Sequence, residues 1–233
     1  MFEFIKKFVL CFILLCVLQI IVFAQSDYQR TDLWEKEIAA FVKIDKSEFP
    51  KKSGVLFVGS SSIRMWKNLA EDFRDFSTIN RGFGGSQIED VNFYAPQIVL
   101  PFTPKLIVLY AGENDITDGK PPETILEDFK KFVSIVHKNL PKTRIIFISL
   151  KPSPSRWNFA AKFQEANRLI KTEIEKDKRL LYVDVWEKML NANGEPRKDI
   201  FQDDELHMNS AGYEIWRETL LPQIKRGLRK NFR

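Results

Sequence analysis

The chain has few residues that bind metals or act as sulfur nucleophiles, with two cysteines and two histidines among 233 residues. Both cysteines, Cys11 and Cys16, lie in one apolar segment near the N-terminus. If that segment is removed, the remaining chain can form no disulfide, no thiolate nucleophile and no cysteine metal site. Its two histidines, His137 and His207, are far apart in sequence and cannot by themselves build a typical zinc site.

Signatures of nucleotide-binding proteins are also missing. The segment Asn80-Arg81-Gly82-Phe83-Gly84-Gly85 could bind a phosphate group, but Gln87 stands where a dinucleotide fingerprint needs its third glycine. No Gly-Lys-Ser/Thr follows it, and the Gly-x-Ser-x-Gly nucleophile turn of α/β-hydrolases occurs nowhere in the chain. The sequence therefore predicts a protein without a metal or a cofactor.

The N-terminus has the pattern of a secretory signal peptide. Lys6 and Lys7 precede an apolar run over 8–23 that only Gln19 interrupts, and Ala24 offers a small residue for cleavage. We expect a signal peptide over 1–24, a single domain over 25–233, and a secreted or periplasmic location. The alternative is an uncleaved N-terminal membrane anchor, for which the run is short.

The formal net charge of +5 is modest, and part of the excess lies near the C-terminus at Lys225, Arg226, Arg229 and Lys230. Cations in this position complement the end of a helix. No basic stripe is interleaved with aromatic residues, as a nucleic-acid surface would require. We therefore expect no nucleic-acid partner and no stable membrane association after signal cleavage.

Short apolar runs alternate with amphipathic stretches along the chain. The predicted strands are 55–58, 77–80, 106–110, 145–148 and 181–184. The predicted helices are 28–44, 60–73, 86–100, 122–139, a helix that follows the loop 151–156 and runs to about 178, and 210–229. This alternation predicts an α/β fold, a three-layer α/β/α sandwich around a flavodoxin-like, doubly wound, parallel five-stranded sheet.

Two short motifs supply a hydroxyl and a base. Ser61 follows Gly59 at the end of the first predicted strand, where helical N–H groups could stabilise an oxyanion. The alternative is a serine that only caps the helix. Asp204 precedes His207 by three residues, close enough to accept from the ring Nδ1–H and leave Nε2 as a base. An isolated pair of this kind could equally be a capping aspartate beside an exposed histidine.

Asn114, in Gly112-Glu113-Asn114-Asp115, follows the strand 106–110. Its side-chain amide could donate to an oxyanion, or the residue could simply form a turn. Because parallel strands end at the same edge, where such folds bind their ligands, we expect Ser61, the glycine turn and Asn114 to lie close together.

These residues and the glycine turn belong to four motifs, over residues 58–63, 80–86, 112–115 and 204–207. These motifs and their order along the chain resemble those of the SGNH hydrolases, also called GDSL-like lipases and acylhydrolases. The resemblance implies Ser61 as nucleophile, Asp204 and His207 as its triad partners, and an oxyanion hole formed by Ser61, Gly85 and Asn114, with Gly84 as a register alternative. Ser60 replaces the aspartate of the family's Gly-Asp-Ser. That form resembles the platelet-activating-factor acetylhydrolase-like branch, and it weakens any inference of lipase activity from the family name.

These residues predict a serine esterase that cleaves short-chain esters through an acyl-enzyme. The expected substrate is a small ester or an acetylated glycan, because the chain has no long apolar stretch beyond the signal and no obvious lid. Arg156 and Trp157, in the loop after the fourth strand, are candidate substrate contacts, although Trp157 could instead pack inward. The alternatives are a lipid-directed acylhydrolase, such as a lysophospholipase or thioesterase, and a non-catalytic glycan-binding protein.

Overall fold

Five short strands form the centre of the structure, a computed structural model that describes residues 33–229. The strands are β1 (Val55–Gly59), β2 (Thr78–Gly82), β3 (Leu106–Tyr110), β4 (Arg144–Ile148) and β5 (Leu180–Val183). Neighbouring strands are all parallel, in the order β2-β1-β3-β4-β5. This is the flavodoxin-like order, so the predicted fold is confirmed.

Helices connect the strands, and from Ile38 onward the chain forms one compact unit. The α-helices are α1 (Glu35–Ser47), α2 (Ser61–Arg64), α3 (Leu69–Asp72), α4 (Ile88–Ile98), α5 (Glu113–Thr117), α6 (Pro122–Asn139), α7 (Ala160–Ile174) and α8 (Ser210–Leu228). Short 3₁₀ segments lie at Leu100–Phe102, Pro154–Phe159, Glu187–Met189 and Lys198–Ile200, and the second is kinked at Arg156.

Successive strand residues point to opposite faces of the sheet, so each face has its own partners. On one face, Phe57 and Ile146 join a buried cluster that includes Trp216 of α8. On the other face, the ring of Phe147 packs on that of Phe129 in α6, with centroids 5.3 Å apart. Helices α4 and α7 pack beside α6. The sheet is thus covered on both faces, which makes three layers.

Aromatic residues fill the core beneath the carboxyl ends of β1 and β3. Trp216 contacts Tyr110 and Trp66, with ring centroids 4.6 and 5.9 Å apart. Trp66 also packs on Phe57 and Tyr213. Rings of this size bury the largest apolar areas of any side chain, so the sheet edge that carries the sequence motifs rests on a well-packed base.

The prediction of one helix over 60–73 is wrong. The structure has two short helices there, α2 and α3, separated at Trp66. The Trp66 side chain is buried in the aromatic cluster, and its Nε1–H donates to Asp72 Oδ2 at 2.6 Å. A continuous helix would not turn this side chain into the core while keeping Ser61 at the sheet edge.

Other differences concern helix boundaries. The predicted helix 86–100 is shorter in the structure, where it runs over Ile88–Ile98; Gln87 is its N-cap and forms a capping box with Asp90. The helix predicted after the loop 151–156 starts with a 3₁₀ turn and ends at Ile174. Helix α5 was not predicted; a turn at Asn114 was one of the two alternatives for this segment.

Two predictions concern residues outside the described part of the chain: the signal peptide over 1–24 and the beginning of the helix over 28–44. Within residues 33–229, no helix is both long enough and apolar enough to cross a membrane.

Candidate active site

Three of the four sequence motifs begin at one level of the sheet. Gly59, the last residue of β1, pairs with Gly82 at the end of β2 and with Tyr110 at the end of β3. Ser61, Gly85 and Asn114 each follow shortly after one of these three positions. The parallel register therefore brings the three motifs to one edge, at the point where the connections from β1 and β3 diverge to opposite sides.

The turn that carries Ser61 requires glycine at its first position. Gly59 has φ +135°, and a Cβ on this residue would lie 1.9 Å from the carbonyl oxygen of Tyr110. The next residue, Ser60, donates its N–H to that same oxygen at 2.9 Å. The chain thus leaves β1 in close contact with β3 and enters α2 with Ser61 as its first residue.

Two side chains from other elements hold this turn in place. Asn80 of β2 donates its Nδ2–H to the carbonyl of Ile63 at 2.7 Å. Tyr213 of α8 donates its hydroxyl to the carbonyl of Ser62 at 2.9 Å. No sequence pattern indicates this role for Tyr213, because its partner lies 151 positions away. Ser61 is thereby fixed from both sides.

His207 lies between Ser61 and Asp204. Its Nε2 is 2.9 Å from Ser61 Oγ, and its Nδ1 is 2.5 Å from Asp204 Oδ2. A carboxylate can only accept, so Nδ1 carries the proton that faces Asp204, and Nε2 is left to accept from the Ser61 hydroxyl. The structure brings together the three residues expected to form a triad, in the order serine, histidine, aspartate.

Asp204 and His207 lie in a tight loop between the 3₁₀ turn Lys198–Ile200 and α8. Gln202 donates its N–H to the carbonyl of His207 at 2.7 Å, and Phe201 and Met208 form an antiparallel bridge. Glu205, at the tip, has φ +53°. The loop is short and internally bonded, so Asp204 and His207 have little freedom to separate.

Asp204 also bonds the loop's own backbone. Its Oδ1 accepts from the N–H groups of Leu206 and His207, each at 2.9 Å. Burial alone would raise the pKa of Asp204, but the hydrogen bonds from the His207 ring and from these two backbone groups outweigh it and lower the pKa to about 2. Asp204 is therefore ionised at neutral pH and can stabilise a proton on the His207 ring.

Asn114 lies in the first turn of α5 with both ends of its amide engaged. Its Nδ2 donates to the carbonyl of Ser86 at 2.9 Å, and its Oδ1 accepts from Nη2 of Arg156 at 2.9 Å. The bond to Ser86 links Asn114 to the glycine turn after β2. The Asn114 amide has a second N–H, in addition to the one that donates to the Ser86 carbonyl.

Gly85, directly before Ser86, has φ +72°, a conformation that favours glycine. A Cβ on Gly85 would meet no atom within 4 Å, whereas one on Gly84 would lie 2.8 Å from the Arg64 guanidinium carbon. Backbone conformation therefore favours glycine at Gly85, whereas a side chain at Gly84 would only require the flexible end of Arg64 to shift. Both glycines lie in the segment that Asn114 holds.

A buried ion pair lies behind Asn114. Lys151 Nζ is 2.9 and 3.2 Å from the two carboxylate oxygens of Glu113, and the side chains are 1% and 5% exposed. Burial lowers the pKa of Lys151, while the Glu113 carboxylate opposes that shift. Burial and the same carboxylate raise the pKa of Tyr110. This pair was not predicted, because the segment 151–156 was expected only to form a loop.

The loop after β4 also contacts the loop that carries Asp204 and His207. Ser155 donates both its N–H and its hydroxyl to the carbonyl of Glu205, at 3.1 and 3.0 Å. Arg156 turns toward Asn114 and Glu113, the latter at 3.9 Å. Trp157 is 36% exposed and stacks on Trp186, with ring centroids 6.0 Å apart. The structure thus places Arg156 against Asn114, and Trp157 against Trp186.

The remaining histidine is remote from this site. His137 is a partly buried residue of α6, and its Nε2 is 3.1 Å from the carbonyl of Thr143. Burial and the nearby Arg179 lower its pKa. Among residues 33–229, no group of three or more histidine, cysteine, aspartate or glutamate side chains is placed to hold a metal ion.

The sequence over residues 55–215 matches the family model described as GDSL-like Lipase/Acylhydrolase. No match is found among curated proteins.

Several solved structures share the fold. A Streptococcus pneumonia protein described provisionally as a platelet activating factor is 20% identical over 86% of this chain and 97% of its own, with a TM-score of 0.74. A GDSL-like lipase from Bacteroides thetaiotaomicron is 20% identical over 85% of this chain and 98% of its own, with a TM-score of 0.66. The acetyl-xylooligosaccharide esterase Axe2 of Geobacillus Stearmophilus, solved as a mutant, is 15% identical over 75% and 95%, with a TM-score of 0.59.

Proposed function

The chain belongs to the GDSL-like lipase/acylhydrolase family, and we propose that it is a serine esterase that cleaves short-chain carboxylic esters through an acyl-enzyme. Membership of this family implies ester hydrolysis, and the residues at the sheet edge supply a route for it. The observation that carries the proposal is the chain of contacts from Ser61 Oγ to His207 Nε2 and from His207 Nδ1 to Asp204, at 2.9 and 2.5 Å.

In the first half-reaction, Ser61 Oγ attacks the acyl carbon while His207 Nε2 takes the hydroxyl proton. The carbonyl electron pair moves onto oxygen and forms a tetrahedral intermediate. As this intermediate collapses, the bond to the leaving alcohol breaks, and Nε2 returns its proton to that oxygen. In the second half-reaction, water gives a proton to Nε2 and attacks the acyl-Ser61 carbon. The bond from this carbon to Ser61 Oγ then breaks, Oγ takes the proton back from Nε2, and the acid is released.

The oxyanion accepts from three donors: the N–H of Ser61, the N–H of Gly85 and the remaining amide N–H of Asn114. As the first residue of α2, Ser61 lies where backbone N–H groups have no partner within the helix. Helix α2 has four residues, so these local N–H groups, rather than a long helix dipole, supply the stabilisation. A single donor of this kind contributes about 10²–10³ in rate.

The proposed substrate is an acetyl ester, in particular an O-acetyl group on a carbohydrate. Two observations support this class. The related Axe2 is described as acting on acetyl-xylooligosaccharides. Trp157, partly exposed and stacked on Trp186, offers an apolar surface directly after Arg156, which contacts Asn114. A lipid-directed acylhydrolase and a non-catalytic glycan-binding protein are the two other outcomes that the experiment below separates.

We also propose that the enzyme acts outside the cytoplasm, after removal of residues 1–24. The support is the sequence pattern alone: Lys6 and Lys7, the apolar run that follows and the small residue Ala24.

The test compares p-nitrophenyl acetate with the decanoate ester, and an acetylated xylo-oligosaccharide with a lysophospholipid. We expect faster cleavage of the acetyl compound in each pair and nearly complete loss in Ser61→Ala. Ser62→Ala is the matched control, because the neighbouring Ser62 has no contact with His207 among the described residues. A preference for the long-chain and phospholipid substrates would show a lipid-directed acylhydrolase. No cleavage of any ester would favour a non-catalytic glycan-binding protein.

A further inference from the structure

The orientation of the Asn114 amide is determined by its partners. A side-chain amide can rotate by 180° about its last bond and exchange its oxygen with its nitrogen. Arg156 can only donate, so the atom that it contacts at 2.9 Å must be Oδ1. The carbonyl of Ser86 can only accept, so the atom facing it at 2.9 Å must be Nδ2. The two contacts exclude the rotated arrangement.

Arg156 is itself held from two sides. Its Nη1 lies 3.9 Å from Glu113 Oε2, so the guanidinium lies between the Glu113 carboxylate and the Asn114 carbonyl. On the backbone, the preceding residue, Ser155, is bonded to the carbonyl of Glu205. The side chain of Arg156 is only 19% exposed. The guanidinium is therefore held in one position against Glu113 and Asn114.

Among the three charged side chains Lys151, Glu113 and Arg156, one positive charge is in excess. Lys151 is buried against Glu113, and each balances the charge of the other. Arg156, the third charged member, is thus a net cation that touches Asn114 Oδ1. A cation bonded to the oxygen of an amide draws electron density from it, which makes its N–H groups stronger donors.

We propose that Arg156 is a positioning residue that fixes and polarises the Asn114 amide, so that its second N–H points to the oxyanion with increased donor strength. The proposal rests on the proposed esterase function, in which Asn114 is an oxyanion donor. Arg156 acts through Asn114 and makes no contact with the reacting atoms. The Lys151–Glu113 pair anchors Arg156 from behind.

This role differs from the substrate contact that the sequence suggested for Arg156, and kinetics distinguish the two. A residue that improves an oxyanion donor acts mainly in the transition state, so its loss lowers kcat with little change in KM. A residue that binds the substrate in its ground state changes KM. A residue that acts through Asn114 has no effect once Asn114 has lost its amide.

The experiment is a double-mutant cycle of Arg156→Gln and Asn114→Ala, measured with p-nitrophenyl acetate. Alone, Arg156→Gln should lose about ten- to hundredfold in kcat, the size of one charge-assisted hydrogen bond, with KM changed by less than about twofold. In the Asn114→Ala background, the same substitution should change kcat by less than about threefold. Arg156→Lys, which keeps the charge, should recover part of the loss.

Arg168→Gln is the matched control, because Arg168 lies on the surface of α7 and pairs only with Glu165 among the residues described. It should leave kcat unchanged in both backgrounds. Equal losses from Arg156→Gln with and without Asn114, a change confined to KM, or full activity in the single variant would each overturn the proposal.

A second measurement separates failure of this proposal from failure of the esterase function. The side-chain amide signals of Asn114 in a ¹H–¹⁵N spectrum, assigned by their absence in Asn114→Ala, should shift in Arg156→Gln and not in Arg168→Gln. This holds whether or not the protein cleaves an ester. Unshifted Asn114 signals in Arg156→Gln would overturn the positioning role, whereas an inactive wild type with shifted signals would overturn only the proposed function.

Discussion

Asp204 bonds His207 twice, through different oxygens of one carboxylate. Oδ2 faces the ring Nδ1 at 2.5 Å, and Oδ1 accepts the His207 backbone N–H at 2.9 Å, together with that of Leu206. Both oxygens of the carboxylate are therefore required as acceptors. An amide in this position has only one oxygen, and two backbone donors compete with the ring for it.

The first prediction follows from that competition. In Asp204→Asn, the side-chain oxygen stays with the two backbone N–H groups, so the amide N–H groups face Nδ1 of His207. This stabilises the ring tautomer that carries its proton on Nε2, which cannot take a proton from Ser61. We expect kcat for p-nitrophenyl acetate to fall on the order of 10⁴-fold in Asp204→Asn, and by no more than that in Asp204→Ala.

His207→Ala provides the reference for this comparison. It removes the base altogether and should cost at least as much as Asp204→Asn. If Asp204→Ala were much less active than Asp204→Asn, tautomer selection would not be the role of Asp204.

The second prediction concerns the free energy of unfolding. Glu113→Ala leaves the Lys151 ammonium buried without its partner at 2.9 Å, and breaking such a pair costs about 3–5 kcal/mol. Urea unfolding should show this loss. Glu165→Ala, which breaks an exposed pair with Arg168, should change the free energy by less than about 1 kcal/mol. Similar small changes in both variants would mean that the Lys151 ammonium is not held by Glu113.

The third prediction concerns the pH dependence of stability. Asp115 is fully buried and accepts from the Ile88 N–H at 3.2 Å, and Lys120 lies 3.7 Å away, closer to Glu89 at 3.0 Å. Burial outweighs these contacts and raises the pKa of Asp115 from 3.8 to about 7. Between these values the folded protein holds a proton that the unfolded chain has released, so its stability falls as the pH rises.

Asp115→Asn isolates this contribution, since its amide oxygen can still accept from Ile88. As the pH rises from 4 to 8, the free energy of unfolding of the variant should increase relative to that of the wild type, by at most about 4 kcal/mol in total. Urea unfolding at several pH values measures the difference. Parallel curves for the two proteins would show that Asp115 has the same pKa in the folded and unfolded states.

The sequence predicted the fold because β1, β3, β4 and β5 are short apolar runs separated by amphipathic segments. It also predicted that Ser61, the glycine turn and Asn114 would lie close together, because the ends of parallel strands share one edge, and the resemblance to the SGNH hydrolases implied that Asp204 and His207 would join Ser61. The local pattern of 60–73 did not reveal the break at Trp66, which depends on a core assembled from distant rings such as Trp216.

The contacts of Lys151 with Glu113 and of Arg156 with Asn114 could not be predicted from sequence patterns, for a similar reason. Lys151 and Glu113 are 38 positions apart, and Arg156 and Asn114 are 42 apart. Each of these residues is an ordinary charged or polar residue in a loop or a short helix. Only the register of β3 against β4, which brings the two connections side by side, makes them partners.

The central claim is that Ser61 is the nucleophile, and covalent labelling tests it most directly. The purified protein is incubated with a p-nitrophenyl alkylphosphonate, and the modified residue is located by fragment mass spectrometry. We predict one adduct per chain, on Ser61, with release of one equivalent of p-nitrophenolate; the adduct is absent in Ser61→Ala and retained in Ser62→Ala. An adduct on another residue, or one that persists in Ser61→Ala, would contradict the assignment of Ser61 as the nucleophile.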